Sequence, residues 1–118
     1  MIKSIKIGPQ TFSVVQRSNN EDGMLNDGAY GYTLESGNLI VINSEIGNGK
    51  QKVTLLHEIL HAIRMNAEGM PKPSKDDDFE SWEHYFIGLY ESNLLAVLKD
   101  NPKLVEWLTN EQPKTSNK

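Results

Sequence analysis

Cysteine is absent from the 118-residue chain, which excludes disulfide frameworks, thiolate nucleophiles and cysteine-ligated zinc, and fits a reducing compartment. Any metal must then be held by histidine and carboxylate. Basic residues are outnumbered, with 12 Lys and Arg against 16 Asp and Glu, and they are scattered along the chain. Phosphate backbones call for clustered cations, so no nucleic acid partner is expected. No stretch approaches the roughly 20 consecutive apolar residues of a membrane span. The first twelve residues, MIKSIKIGPQTF, alternate apolar and polar side chains and are cut by Gly8-Pro9, unlike the continuous apolar run of a secretory signal. The expectation is a cytoplasmic protein with no membrane partner.

What is present describes one packed unit. A composition of 37% apolar and 24% charged residues is that of an ordinary globular protein, and the length suits a single domain. Residues 1–108 read as that domain and 109–118 as a mobile polar tail. Residues 2–7 and 11–17 carry β-prone Ile2, Ile5, Ile7, Phe12, Val14 and Val15 around the Gly8-Pro9 turn, which predicts a hairpin. Residues 30–35 and 38–43 flank Ser36-Gly37 and predict a second one. Between the hairpins, residues 19–31 are rich in Asn, Asp and Gly and read as an irregular surface loop able to act as a flap.

From Lys50 the apolar period changes to that of a helix, which runs to Glu68 and is stopped by Gly69, Pro71 and Pro73. Residues 71–75 read as a linker. Asp76, Asp77 and Asp78 then place negative charge at the start of a second helix reaching about Asp100, where it complements the helix dipole. Asn101 reads as an N-cap, with Pro102 opening a short third helix to about Leu108. Strands first and helices second give an α+β class.

The first helix carries His57-Glu58-Ile59-Leu60-His61. Two imidazoles four residues apart stand one above the other on a single helical face, about 6 Å between Cβ atoms, so both can reach one ion. At 100° per residue, His61 lies about 40° and Glu58 about 100° from His57, while Leu56, Ile59, Leu60 and Ile63 occupy the opposite arc. This wheel predicts an apolar stripe in the core and a face with His57, Glu58 and His61 turned to a cleft. Zinc held by two imidazoles and one carboxylate keeps a fourth position for water, whose pKa falls toward about 7, and a neighbouring carboxylate can take its proton. Glu58 stands where that general base belongs. Chance would place this five-residue pattern in roughly 0.6% of chains with this histidine and glutamate content, so its position on an amphipathic helix after a hairpin weighs in favour of a zinc site.

Two imidazoles leave a zinc site incomplete, and the second helix offers Glu80, Glu83, His84 and Glu91 as further donors. The wheel sets Glu91 among Phe79, Phe86, Ile87, Tyr90, Leu94, Leu95, Val97 and Leu98, which predicts a carboxylate enclosed by the core-facing stripe. Such burial is costly without a partner, and a metal is one. Gly88, one turn earlier, would leave open space beside it. His84 shares the face of Glu91 but stands about 10.5 Å along the axis, too far for both to bind one ion with ease. His84 could instead steady an oxyanion, and Glu80 and Glu83 read as solvated charges.

The pattern His57-Glu58-Ile59-Leu60-His61 followed by Glu91-Ser92-Asn93-Leu94-Leu95-Ala96 resembles the small gluzincin-like metallopeptidases of the ImmA/IrrE type, in which a Glu-Ala-Asn-x-Phe-Ala stretch carries the third ligand. Thr54-Leu55-Leu56 before the motif, Ala62-Ile63 after it, and Leu98-Lys99-Asp100-Asn101-Pro102 look like short phage or prophage-borne relatives. The resemblance covers about residues 30 to 108. It implies a minimal zincin-like domain, a small antiparallel or mixed sheet packed on the active-site helix and a second long helix. His57, His61 and Glu91 would be zinc ligands, Glu58 the base, and a peptide or protein the substrate, for family members cleave regulatory proteins such as repressors. Ser92 and Leu95 depart from the commoner Ala and Phe, and no helix-turn-helix module names a substrate.

Other signals fail. Gly47-Asn48-Gly49-Lys50 lacks the first glycine and the closing Ser or Thr of a phosphate-binding loop, and residues 20–31 lack calcium-loop spacing. Trp82 and Trp107 read as packing residues. The functional expectation is a zinc endopeptidase in which an edge strand, taken as residues 38–43, holds an extended substrate by main-chain pairing; the alternative is a non-catalytic, zinc-stabilised binding module of phage or prophage origin, in which Glu58 is dispensable.

Overall fold

The structure, a computed structural model, describes residues 1–67 and 69–110. Both expected hairpins form. β1 (Ser4–Ile7) pairs antiparallel with β2 (Gln10–Arg17), with Ile7 opposite Gln10. Gly8 adopts φ 60° at the first of the two turn positions, the place glycine fills in a primed hairpin turn. β3 (Gly31–Leu34) pairs antiparallel with β4 (Leu39–Asn43), and Asn38 at φ 47° closes their loop, its N–H donating to the Glu35 carbonyl at 3.2 Å.

The sheet order is β1-β2-β4-β3, and the β2–β4 pair is parallel. The sheet is therefore mixed, and the molecule is α+β. This order overturns one expectation: residues 38–43, taken as the edge strand that would hold an extended substrate, form an interior strand paired on both sides. The edges are β1 and β3. The outer edge of β1 is engaged by Asn101, whose side chain accepts from the Lys6 N–H at 2.9 Å and donates to the Lys6 carbonyl at 2.7 Å and the Val97 carbonyl at 2.8 Å. A side-chain amide thus occupies a position where another strand could pair. Asn101 is the N-cap of the third helix, as expected, but its side chain makes no capping bond because β1 engages it.

Residues 19–31 are more ordered than a plain loop. A single turn of 3-10 helix (Asn19–Glu21) leads into a short helix, α1 (Gly23–Asn26), capped by Asp22, whose Oδ1 accepts from the Met24 and Leu25 amides at 3.0 and 3.3 Å. Asp22 Oδ2 meets Arg17 Nη1 at 3.1 Å and accepts from the Tyr32 hydroxyl. The segment is consequently pinned to β2 and β3 on the face of the sheet opposite the long helices.

The first long helix, α2 (Asn48–Asn66), starts two residues before the expected Lys50, with Gly47 as N-cap. Gln51 fixes this end, donating to the Ile46 carbonyl at 2.9 Å and accepting from Gln16 at 2.6 Å. α3 (Phe79–Asp100) is capped by Asp78, which accepts from the Ser81 amide at 2.9 Å, and α4 (Pro102–Thr109) follows. The expected tail overlaps α4 at Thr109; residues 111–118, and the Glu68 end expected for α2, lie outside the described residues.

The core lies between one face of the sheet and α2, with α3 and α4 closing it. Ile5, Ile7, Phe12, Val14, Ile40 and Ile42 meet Leu55, Ile59, Ala62, Ile63, Val97 and Leu104. Each fully buried aliphatic side chain contributes about 1.5–3 kcal/mol, and the contacts of Leu55 and Ile59 with the sheet fix the rotation of α2. Among the described residues no helix is long and apolar enough to cross a membrane.

Candidate metal centre

That rotation decides what the motif residues face. The buried side of α2 carries Gln51, Thr54, Leu55, Glu58, Ile59, Ala62 and Ile63. Leu56, expected in the apolar stripe, is 38% exposed. His57 and His61 are exposed and Glu58 is only 5% exposed, so the three do not share one open face. The cause is the sheet, which packs nearer the Glu58 edge of the helix than apolar content alone implies. Thr33 on β3 receives the carboxylate there.

His57 and His61 converge, with their Nε2 atoms 3.1 Å apart and ring centroids 4.7 Å apart at an interplanar angle of 73°. At that separation one ring can donate its Nε2 proton to the other, or, with both protons on Nδ1, the two Nε2 lone pairs can bind one ion. Zinc–nitrogen bonds of about 2.0–2.1 Å in a tetrahedron set ligand nitrogens about 3.3–3.4 Å apart. The pair therefore fits two corners of a zinc site with a shift of a few tenths of an ångström.

Glu58 lies beside the pair against β3. The Thr33 hydroxyl donates to Glu58 Oε1 at 2.8 Å and lies 3.3 Å from the Glu58 carbonyl. Gly31, two residues earlier on the same face of β3, is hemmed in by β4 and α2: a Cβ there would stand 2.7 Å from the Val41 carbonyl oxygen and 2.8 Å from the Thr54 methyl. A cleft of about 270 Å³ opens here, lined by Tyr30, Gly31, Val53, Thr54, His57 and Glu58. Lys50 Nζ lies 4.7 Å from the centre of the Tyr30 ring at its rim. The cleft joins a buried carboxylate, an exposed imidazole and the start of an edge strand.

Sequence reasoning missed Thr33 and Gly31. A glycine inside a strand marks a bulge or a close backbone approach, and Gly31 was the available signal. Thr33 gave none, since threonine is common in strands.

The further donors are placed differently. Glu91 is exposed, on a shallow concavity of about 380 Å³ formed by α3 residues Ile87, Tyr90, Glu91, Leu94, Leu95 and Leu98. Its neighbours are apolar, as expected, but only part of the stripe reaches the core: Val97 is buried and Tyr90 and Leu94 pack against the core, whereas Ile87 and Leu95 are each 53% exposed. The expectation of an enclosed carboxylate is corrected accordingly. α3 buries only Leu89 and Val97; residues 79–88 are exposed or half-buried, and the aromatic residues Trp82, Tyr85 and Phe86 among them pack on one another. A Cβ at Gly88 would meet nothing within 4 Å. Glu80, Glu83 and His84 are exposed. Among the described residues, no group of three or more His, Cys, Asp or Glu is gathered to hold a metal ion. Two donors are assembled on α2, and Glu91 is not joined to them.

No protein-family model, no curated protein and no solved structure matches the chain.

Proposed function

We propose that the chain is a zinc-dependent endopeptidase acting at the cleft between β3 and the His57 face of α2. The observation that carries this reading is the convergence of His57 and His61 Nε2 atoms at 3.1 Å beside a buried Glu58. Zinc held there would polarise a peptide carbonyl and ease deprotonation of water. Glu58 accepts the proton of the attacking water and passes it to the leaving amine. Apolar Val53 and the Tyr30 ring give the cleft walls for a substrate side chain. The third donor is Glu91, supported by the resemblance to ImmA/IrrE-type metallopeptidases; His57 and His61 would fit the metal after a shift of a few tenths of an ångström, and the position of Glu91 on α3 supplies no support of its own. With its reducing-compartment composition, the enzyme would work in the cytoplasm on a peptide or protein, a regulatory protein being the class the resemblance implies.

A second reading is favoured by a separate observation. Phe79 is 78% exposed, and Phe86, Ile87 and Leu95 are between 43% and 53% exposed, an apolar display in keeping with a non-catalytic module, stabilised by zinc, that binds a partner. The two readings part at Glu58. Zinc content and turnover of a denatured protein, compared between the wild-type chain and Glu58→Gln, test the first: zinc in both with cleavage by the wild type alone is the expected result. Zinc in both with cleavage by neither moves the binding module ahead.

A further inference from the structure

β3 stands at a sheet edge, and its register decides which of its backbone groups are free. The Asn43 N–H donates to the Tyr30 carbonyl at 2.8 Å, and pairing continues without interruption from Gly31 opposite Ile42 to Leu34 opposite Leu39. In an antiparallel pair, hydrogen-bonded and non-hydrogen-bonded positions alternate. Tyr32 and Leu34 therefore direct their N–H and C=O groups to β4, and Gly31 and Thr33 direct theirs to the open edge. Side chains alternate as well: Tyr32 reaches Asp22 on one face, and Thr33 reaches Glu58 on the other.

We propose that Thr33 is a positioning residue for the reaction, pairing with an extended substrate through its main chain while its hydroxyl holds the Glu58 carboxylate. This inference rests on the peptidase reading above. Glu58 has three rotatable side-chain bonds, and its burial alone does not select the direction of the carboxylate plane. The bond from Thr33 at 2.8 Å engages Oε1 and leaves Oε2 to take the water proton. Because the donor hydroxyl and the edge-facing amide belong to one residue, a peptide seated on β3 is in register with the base. Misplacement of a reacting group by about 1 Å can cost on the order of 100-fold in rate, so a shift of the carboxylate would be felt in turnover.

Zinc-loaded full-length wild type, Thr33→Val and Thr33→Ser, assayed on denatured casein, provide the test. Valine keeps the shape and the strand preference of threonine but removes the donor. The expected result is a kcat at least about tenfold lower in Thr33→Val with KM within about twofold, and a kcat restored to within about threefold in Thr33→Ser. A Thr33→Val variant as fast as wild type, or a Thr33→Ser variant as slow as Thr33→Val, overturns the proposal. If the wild-type chain binds zinc and leaves casein intact, the peptidase reading is what fails. The hold of Thr33 on Glu58 is then read from crystal structures of the two variants. A carboxylate displaced in Thr33→Val and in place in Thr33→Ser supports it; one that is unmoved in both overturns it.

Discussion

On α2, His57 and His61 are brought together by the helix itself, since a separation of four residues returns a side chain to the same face whatever the helix packs against. On α3, Glu91 depends on how one helix is set against another, and there it lies among half-exposed apolar side chains, apart from the imidazoles. Glu58 falls between these cases. Its position follows from the helix, but its burial and its partner come from β3. A motif read from local spacing thus transfers to the structure at once, while a ligand inferred across elements is only as secure as the packing between them.

The largest effect that would sharpen this contrast is expected at Glu58. Replacement by Gln should lower turnover of a denatured protein by about 100-fold or more, within or beyond the range for a general base, with zinc content unchanged. An unaltered rate would remove Glu58 from the chemistry. Next come the imidazoles: His57→Ala or His61→Ala should weaken zinc binding by more than about 100-fold, since partners that only orient a ligand already account for 10- to 100-fold. Equilibrium competition with a chelator measures this.

Glu91→Gln addresses the other helix and should weaken zinc by about tenfold or more if α3 completes the site, with His84→Ala near neutral. Equal affinities for wild type and Glu91→Gln would leave the site to α2 and remove the carry-over from the resemblance. Gly31→Ala should destabilise the fold by about 1–3 kcal/mol, because its Cβ would stand 2.7 Å from a backbone carbonyl oxygen. Denaturant midpoints report it.

The smallest effect is set by pH at the anchor of the 18–29 segment. The Tyr32 hydroxyl, opposed by burial and aided by Arg17 and the Leu25 and Met24 amides, holds the Asp22 carboxyl below its usual range. A carboxyl depressed in the folded state contributes stability in full above its unfolded pKa of about 3.9 and loses it as pH falls through the lower folded value. Burial and the Asp22 hydrogen bond raise Tyr32, a contribution present below about pH 10 and lost above it. Melting temperatures followed from pH 5 down to 2 should fall less steeply in Asp22→Asn than in wild type.

Much of this architecture was legible beforehand, for reasons that particular residues make plain. Gly8-Pro9 and Ser36-Gly37 marked both hairpins because turn backbones restrict residue choice. Asp78 and Pro102 marked two helix starts because unpaired amides and a fixed φ do the same. Strand order was not legible: nothing local in residues 38–43 distinguishes a strand paired once from one paired twice, and β2 and β4 meet in parallel only across the long connection that holds α1 and β3. The burial of Glu58 followed from that order. The exposure of Glu91 was hidden for a related reason, since a helical wheel reports which residues share a face but not whether another element covers it.

The most direct test of the central claim, that His57 and His61 of α2 hold a zinc ion, is a calorimetric zinc titration of the full chain beside His57→Ala. One equivalent bound by the wild-type chain, with the isotherm lost or weakened by more than about 100-fold in the variant, is the predicted result. An absence of binding in the wild type, or an isotherm that His57→Ala leaves unchanged, would contradict it.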